Sequence, residues 1–234
     1  MDEIVIPSFI TQIEDCSFYQ CGSLRNIVIP SSVTKIGAFA FCKLWYLEEI
    51  TIPSSVTDLG KGAFKQCSSL KTVNIPSSLT KIPICCFEGC SKLVDVTIPP
   101  SVKEIGEYAF CLCSKLEEIS IPPSVCVIGD YAFCLCSMLS KIEIPPLVTK
   151  IGNYTFRRCS ELKNFSIPSS VTEIGKYAFH NCSVLEKISI PSSVTKIGDF
   201  AFSGCSALTE ISIPSSINDI EKLDLNEETK ILRI

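Results

Sequence analysis

Residues 190–208 read IPSSVTKIGDFAFSGCSAL, and near-copies of this stretch recur along the whole 234-residue chain. Each copy contains a proline, and the ten prolines follow one another every 23 residues without an insertion or deletion: Pro7, Pro30, Pro53, Pro76, Pro99, Pro122, Pro145, Pro168, Pro191 and Pro214. A phenylalanine follows nine of these prolines by eleven residues, and a leucine follows them by seventeen. A fixed period of this kind predicts a solenoid, in which each repeat is stabilised by its neighbours.

Apolar and polar residues alternate just before the proline, as in the segment from Leu162 to Pro168. Alternation over this length predicts a short strand that buries one face. The proline ends the strand because it lacks the N–H that a central ladder needs. After the proline, we expect Val171 and Ile174 to point inward at a corner, and Gly175 to adopt a left-handed or tightly packed conformation.

The segment that follows, residues 176–182, looks like one or two helical turns. Ala178, Phe179 and Cys182 would share its inner side, at spacings that fit one face of a helix. We therefore predict an α/β solenoid of ten 23-residue repeats. It would form a curved right-handed coil with a parallel β-sheet on its concave face and short helical turns on its convex face.

The chain is expected to form a single domain over residues 1–234. Residues 1–23 would be the N-terminal repeat or cap, residues 24–212 the regular repeats, and residues 213–234 a C-terminal capping repeat. In that last repeat Glu221, Leu225 and Glu228 replace the usual glycine, phenylalanine and cysteine.

Composition argues against several classes of protein. Twenty-one basic and twenty-five acidic residues give a net charge of −4, and without a basic block this excludes a nucleic-acid-binding footprint. The single histidine, His180, stands in a column of variable residues that we expect to be exposed, and phosphate-binding glycine loops are absent. We therefore expect no enzyme activity, no cofactor and no metal site. No apolar run reaches the ~18 residues of a transmembrane segment.

The repeat at residues 190–208 resembles the BspA-type class of leucine-rich repeats, and the resemblance covers essentially the whole chain. Proteins of this class are known from bacteria and from parasitic protists, and many are described as surface antigens or adhesins that bind host matrix proteins or cells. The resemblance implies a leucine-rich repeat solenoid whose partner is a protein. The start of the chain shows no secretory signal, and no membrane anchor is visible, unlike in many family members.

Most of the fifteen cysteines follow the repeat rather than a disulfide framework. Eight of them occupy one inward column in which Leu44 replaces a ninth, which is typical of a small buried hydrophobe. We expect them to form a reduced core ladder: Cys21, Cys67, Cys90, Cys113, Cys136, Cys159, Cys182 and Cys205. Cys42, Cys111 and Cys134 come directly after the inward phenylalanine, so we expect them to point outward and to react first.

The exposed strand positions are where a curved solenoid usually binds. They lie two and four residues before each proline and are rich in hydroxyls, which suits wet, polar protein recognition better than a small-molecule pocket. The candidate protein-binding residues on this face are Glu49, Thr51, Thr72, Asn74, Asp95, Thr97, Glu118, Ser120, Lys141, Glu143, Asn164 and Ser166. Trp45 and Tyr46 are candidate interface aromatics, with local repacking around Leu44 as the alternative.

Two functions stay open at this point. The resemblance favours a surface antigen or adhesin that recognises host matrix or cell-surface proteins through the concave face. The absence of a signal sequence and the reduced cysteines favour an intracellular scaffold that binds a partner protein of the same cell. The cell surface and the cytoplasm are thus both open as locations, and uniform rungs leave self-association open as well.

Overall fold

The computed structural model describes residues 2–234 as a parallel β-solenoid. We call each 23-residue repeat a rung and number positions from its proline, so that position +11 lies eleven residues after it. A typical rung has three sides: a strand before the proline, a second short strand after it, and a turn side at positions +9 to +14.

The strands before the prolines form the front row. Neighbouring strands pair in parallel with an offset of 23 residues, as in Glu118 with Lys141, and isolated bridges at Glu49–Thr72 and Asn164–Lys187 continue the row. The front row consists of β1 (Glu3–Val5), β3 (Asn26–Val28), β6 (Thr72–Asn74), β8 (Asp95–Thr97), β10 (Glu118–Ile119), β12 (Lys141–Ile142), β15 (Lys187–Ser189), β17 (Glu210–Ile213) and β18 (Lys230–Arg233).

The strands after the prolines form a second parallel row, the side row, at the place where the sequence predicted only a corner. Each side strand has two residues, and the second, which is always apolar, points inward while the first faces solvent. The side row consists of β2 (Gln12–Ile13), β4 (Lys35–Ile36), β5 (Asp58–Leu59), β7 (Lys81–Ile82), β9 (Glu104–Ile105), β11 (Val127–Ile128), β13 (Lys150–Ile151), β14 (Glu173–Ile174) and β16 (Lys196–Ile197).

The predicted helical turns of the convex face are wrong. The single helix among residues 2–234 is a 3₁₀ turn at Glu221–Leu223, outside the regular repeats. Two positions of each rung interrupt any helix, because positions +9 and +13 have positive φ in all nine rungs from Pro7 to Pro191. In the rung used for the prediction these residues are Tyr177 (φ 54°) and Asn181 (φ 59°). The class is therefore a β-solenoid rather than an α/β fold.

Hydrogen bonding explains why the turn side prefers this conformation to a helix. Alternate N–H groups donate to the next rung, as Phe39 does to Lys61 and Phe41 to Ala63, each at 2.8 Å. The N–H groups between them bond within the rung, as Cys42 does to the carbonyl of Phe39 at 3.1 Å. A helix would direct every N–H back into its own segment. The alternating pattern instead joins the turn sides of neighbouring rungs.

A continuous apolar core runs through the stack. Phenylalanines at position +11 stack on one another with ring centroids 5.3–5.8 Å apart from Phe18 to Phe202. Val171 and Ile174 point inward as expected, and Ala178, Phe179 and Cys182 are buried although no helix holds them. Gly175 does not have a left-handed backbone. It is tightly packed instead, since a Cβ there would lie 2.6 Å from the backbone nitrogen of Asn153.

The last rung is covered by β18, which pairs with β17 from Glu210–Lys230 to Ile213–Arg233. Leu223 of the 3₁₀ turn is buried in the apolar core. The curvature and handedness of the coil stay predictions, as do the proposed boundaries of the capping repeats.

Candidate binding surface

All twelve candidate residues of the front row are exposed, so alternation along the strand placed them correctly. They form two parallel columns, at positions −4 and −2, on the solvent face of the front row. The residues between them point inward: Val73, Val96 and Ile119, for example, are buried. Backbone pairing therefore holds these polar side chains in register on one continuous surface, which we call the front face.

Some charges on the front face meet an opposite charge on the next rung. Lys141 lies 3.6 Å from Glu118, and Lys187 lies 3.7 Å from Glu210. Exposed pairs of this kind contribute little to stability, because solvent screens them. The front face as a whole is polar and mildly acidic, because four of the five charged residues among the twelve candidates are acidic.

The depressions on the front face are shallow gaps between neighbouring strands. One lies between the strands of Glu118 and Lys141 and has a volume of about 200 Å³; the other lies between those of Asn26 and Glu49 and has about 290 Å³. Ligand pockets typically enclose ~300–1,000 Å³ and bury most of their ligand. The front face therefore suits a protein surface better than a small molecule.

The two candidate aromatics are exposed at the edge between the front row and the turn side. Trp45 is 45% exposed and Tyr46 is 51% exposed. A Cβ on Gly22 would lie 2.5 Å from a ring carbon of Trp45, so this glycine makes room for the indole. Arg25 lies over the Tyr46 ring, 5.1 Å from its centroid. Both aromatic side chains are therefore accessible to a partner protein, as a role in an interface requires.

Sequence reasoning missed one apolar neighbour of Trp45. Leu112 is 42% exposed and lines the same shallow groove, about 460 Å³ in volume, with Gln66 and Gly89 between the two apolar side chains. Its signal in the sequence is a leucine at position +13, where most other rungs have a polar residue or glycine.

A second open groove runs along the boundary of the side row and the turn side, and it too was not predicted. Between Asp130 and Gly198 it has a volume of about 540 Å³. Glycines at position +7 form its floor, and Lys150, Glu173 and Lys196 lie on one wall, with both lysines paired to Glu173. Tyr131 and Tyr154 also line it, and they belong to a longer stack of aromatics whose ring centroids are 4.5–5.0 Å apart: Tyr108, Tyr131, Tyr154, Tyr177 and Phe200.

Seven of the eight cysteines of the expected ladder are buried and form no disulfide: Cys67, Cys90, Cys113, Cys136, Cys159, Cys182 and Cys205. Each of their thiols donates a hydrogen bond to the phenylalanine carbonyl of the preceding rung at 3.1–3.3 Å. Burial raises the pKa of the Cys90 and Cys113 thiols well above the usual range.

Cys21 is a correction, because it is exposed. It belongs to the first rung, so no preceding rung covers it or offers a carbonyl to its thiol.

The expectation that Cys42, Cys111 and Cys134 point outward is also wrong, since all three are buried. Outward placement assumed a helix after the inward phenylalanine, and the left-handed residues on the turn side redirect position +12. The exposed thiols are those of Cys16, Cys21 and Cys126.

His180 also lies at position +12, and it is half-buried rather than exposed. Burial and the nearby charge of Arg157 lower its pKa, which favours the neutral imidazole. Cys182 faces the core and is fully buried, so the two cannot act as a nucleophile and base. Within residues 2–234, no three histidine, cysteine or acidic side chains come close enough together to hold a metal ion.

The sequence profile described as "BspA type Leucine rich repeat region" matches residues 1–117 and 103–232 in six copies. The chain is 31% identical to a leucine rich cell surface protein from Faecalibacterium prausnitzii A2-165, over 100% of this chain and 79% of that one, and the crystal structure of that protein superposes with a TM-score of 0.63. A leucine-rich repeat protein from Eubacterium ventriosum ATCC 27560 is 28% identical, with a TM-score of 0.54, over 76% of this chain and 42% of that one.

The pneumococcal vaccine antigen PcpA shares the fold at 23% identity, with a TM-score of 0.58, over 99% of this chain and 58% of that one. Curated proteins gave no match to the chain. None of the helices within residues 2–234 is both long enough and apolar enough to span a membrane.

Proposed function

The chain belongs to the BspA-type leucine-rich repeat family, and from that premise we propose that it is a protein-binding module, not an enzyme. It acts as a surface antigen or adhesin that recognises host matrix or cell-surface proteins through the front face. Its relation to the cell surface protein of F. prausnitzii supports the location.

The observation that carries the proposal is the front face itself. Twelve polar side chains of six adjacent rungs stand exposed in two registered columns, from Glu49 to Ser166. The depressions between them are too small to enclose a ligand, and the twelve side chains are mostly uncharged, with four acidic residues and one basic residue among them. Such a surface binds by many weak polar and water-mediated contacts spread along the stack, as wet protein interfaces do.

Trp45 and Tyr46 extend this surface at its edge. Aromatic side chains supply a disproportionate share of binding energy where a partner buries them. We place the strongest single contact of the interface at Trp45, with the polar columns setting register and specificity around it.

The test is a charge reversal on the front face. Replacing Thr97, Ser120 and Glu143 together by lysine should weaken binding to immobilised matrix proteins or host cells at least about tenfold, because it breaks the polar complementarity at the centre of the surface. Replacing Thr80, Glu104 and Thr149, which lie in or directly before side-row strands, by lysine is the matched control, since these exposed residues are likewise two hydroxyl residues and one glutamate and give the same change in net charge. The control variant should bind like the unmodified protein.

Unchanged binding of a folded front-face variant would remove this face from the proposal. Equal loss in both variants would show that bulk charge, rather than the front face, governs binding.

A second candidate function is an intracellular scaffold for a partner protein of the same cell. The observation that favours it is the set of fifteen free cysteines, since free thiols persist in reducing compartments. Both functions use the same face, so the location of the chain in its own cell separates them.

A further inference from the structure

We propose that Cys111 and Cys134 form an oxidisable dithiol, which a peroxide converts into a disulfide between two neighbouring rungs. The two residues occupy position +12 of adjacent rungs. Their register is set by cross-rung bonds on both sides of Cys111, from the N–H of Phe110 to the carbonyl of Ala132 (2.9 Å) and from that of Leu112 to the carbonyl of Cys134 (2.8 Å). Adjacent rungs lie ~4.8 Å apart, within the ~4.4–6.8 Å that Cα atoms of a disulfide span.

This pair differs from the core ladder next to it. The ladder thiols Cys113 and Cys136 are completely buried, and each donates to a phenylalanine carbonyl, at 3.2 and 3.1 Å. Cys111 and Cys134 instead hydrogen-bond to each other and retain 5% and 2% exposure. Cys113 and Cys136, by contrast, are 0% exposed.

The surroundings assign a different role to each sulfur. Arg157 is the next residue in the +12 column; the hydrogen bond from Cys111 and the charge of Arg157 lower the pKa of Cys134. The hydrogen bond to Cys134 and burial raise the pKa of Cys111. The other charged groups nearby are Arg158, which also favours the Cys134 thiolate, and Glu88, which opposes ionisation of Cys111.

The chemistry takes two steps. The thiolate of Cys134 attacks one oxygen of hydrogen peroxide, the O–O bond breaks, and the products are a sulfenic acid and hydroxide. The sulfur of Cys111 then attacks the Cys134 sulfur, the S–O bond breaks, and the hydroxyl leaves with the Cys111 proton as water. In sum, two thiols lose two electrons and one peroxide becomes two waters.

The experiment treats the folded protein with a small excess of hydrogen peroxide and maps its disulfides by mass spectrometry. We expect tryptic peptides 104–115 and 116–141 to be linked, and fragmentation to place the link at Cys111 and Cys134 rather than at Cys113 and Cys136. Cys111→Ser should stop the reaction at a sulfenic acid on Cys134, which dimedone traps.

Arg157 provides a second measurement on folded protein. Arg157→Gln should slow the linkage at least about fivefold, because less of Cys134 is thiolate, whereas Arg157→Lys keeps the charge and should stay within about twofold of the unmodified rate. The proposal is overturned if Cys113 and Cys136 link as readily. It is equally overturned if only the exposed cysteines oxidise, or if Arg157→Gln reacts at the unmodified rate.

Discussion

At the scale of single residues, the glycine at position +7 shows how closely one rung lies on the next. An ideal Cβ on Gly175 would lie 2.6 Å from the backbone nitrogen of Asn153 and 2.6 Å from the carbonyl carbon of Gly152. Backbone atoms held in the preceding rung cannot move aside as a side chain can. The sequence anticipated this from the recurrence of the glycine alone.

We predict that Gly175→Ala lowers the free energy of unfolding by about 1–3 kcal/mol, the usual cost of overpacking. Gly22→Ala is the matched control, because the atoms nearest its added Cβ are ring carbons of Trp45, a side chain free to swing into solvent. Urea denaturation should give the control less than half the loss of Gly175→Ala. Equal losses would contradict the close backbone contact.

The cysteines show where reasoning from single positions stops. Burial of the ladder followed from the exchange of cysteine with Leu44 in one column. The exposure of Cys21 could not be predicted in this way, because the residues that recur at one position do not show which rung lies at the end of the stack. Burial of Cys111 and Cys134 was missed because the outward side of a helix was assigned to a segment that is not helical.

At the scale of elements, the turn side depends on residues that accept a left-handed backbone. Most of the residues with positive φ at positions +9 and +13 are not glycine, and Gln66 (φ 59°) is an exposed example. Left-handed conformation costs such residues ~1–2 kcal/mol, which glycine avoids. The cross-rung hydrogen bonds of the turn side offset that cost.

Gln66→Gly should therefore raise the free energy of unfolding by about 0.5–1 kcal/mol. This net gain is smaller than the relief of the left-handed backbone, because glycine also increases the conformational entropy of the unfolded chain. Gln66→Val should lower the free energy of unfolding by about 1–2 kcal/mol, because a β-branched residue resists positive φ. Chemical denaturation of the two variants provides the comparison. A loss of stability in Gln66→Gly together with no loss in Gln66→Val would mean that this turn is not left-handed.

The elements that the sequence predicted and those it missed differ in a physical way. The front strands have an alternating pattern ended by proline, so both their existence and their exposed residues could be predicted. The side strands, such as Lys150–Ile151, are two residues long, too short for alternation to be visible. The turn side had one usable signal: Gly62, Gly89 and Gly204 fall at positions +9 and +13 and mark the left-handed sites.

At the scale of the whole molecule, stability should depend on a residue's place in the stack. Phe110 is fully buried between Phe87 and Phe133, 5.6 Å from each, whereas Phe18 is partly exposed and has one stacked neighbour, Phe41, at 5.4 Å. In a solenoid each rung contacts only its neighbours, so a central defect interrupts the stack and a terminal one shortens it.

Phe110→Ala should cost about 3–5 kcal/mol, the range for removing a buried phenylalanine side chain. Phe18→Ala should cost less than half as much and leave the other rungs protected in hydrogen exchange. A similar cost for the two substitutions would contradict a linear stack with an open first rung.

The central claim is that this solenoid binds proteins outside the cell. The most direct measurement is antibody staining of intact, non-permeabilised cells that naturally produce the chain, with permeabilised cells as the control. The account predicts signal on intact cells that external protease removes. Signal only after permeabilisation would contradict the surface assignment and leave the intracellular scaffold as the function of the front face.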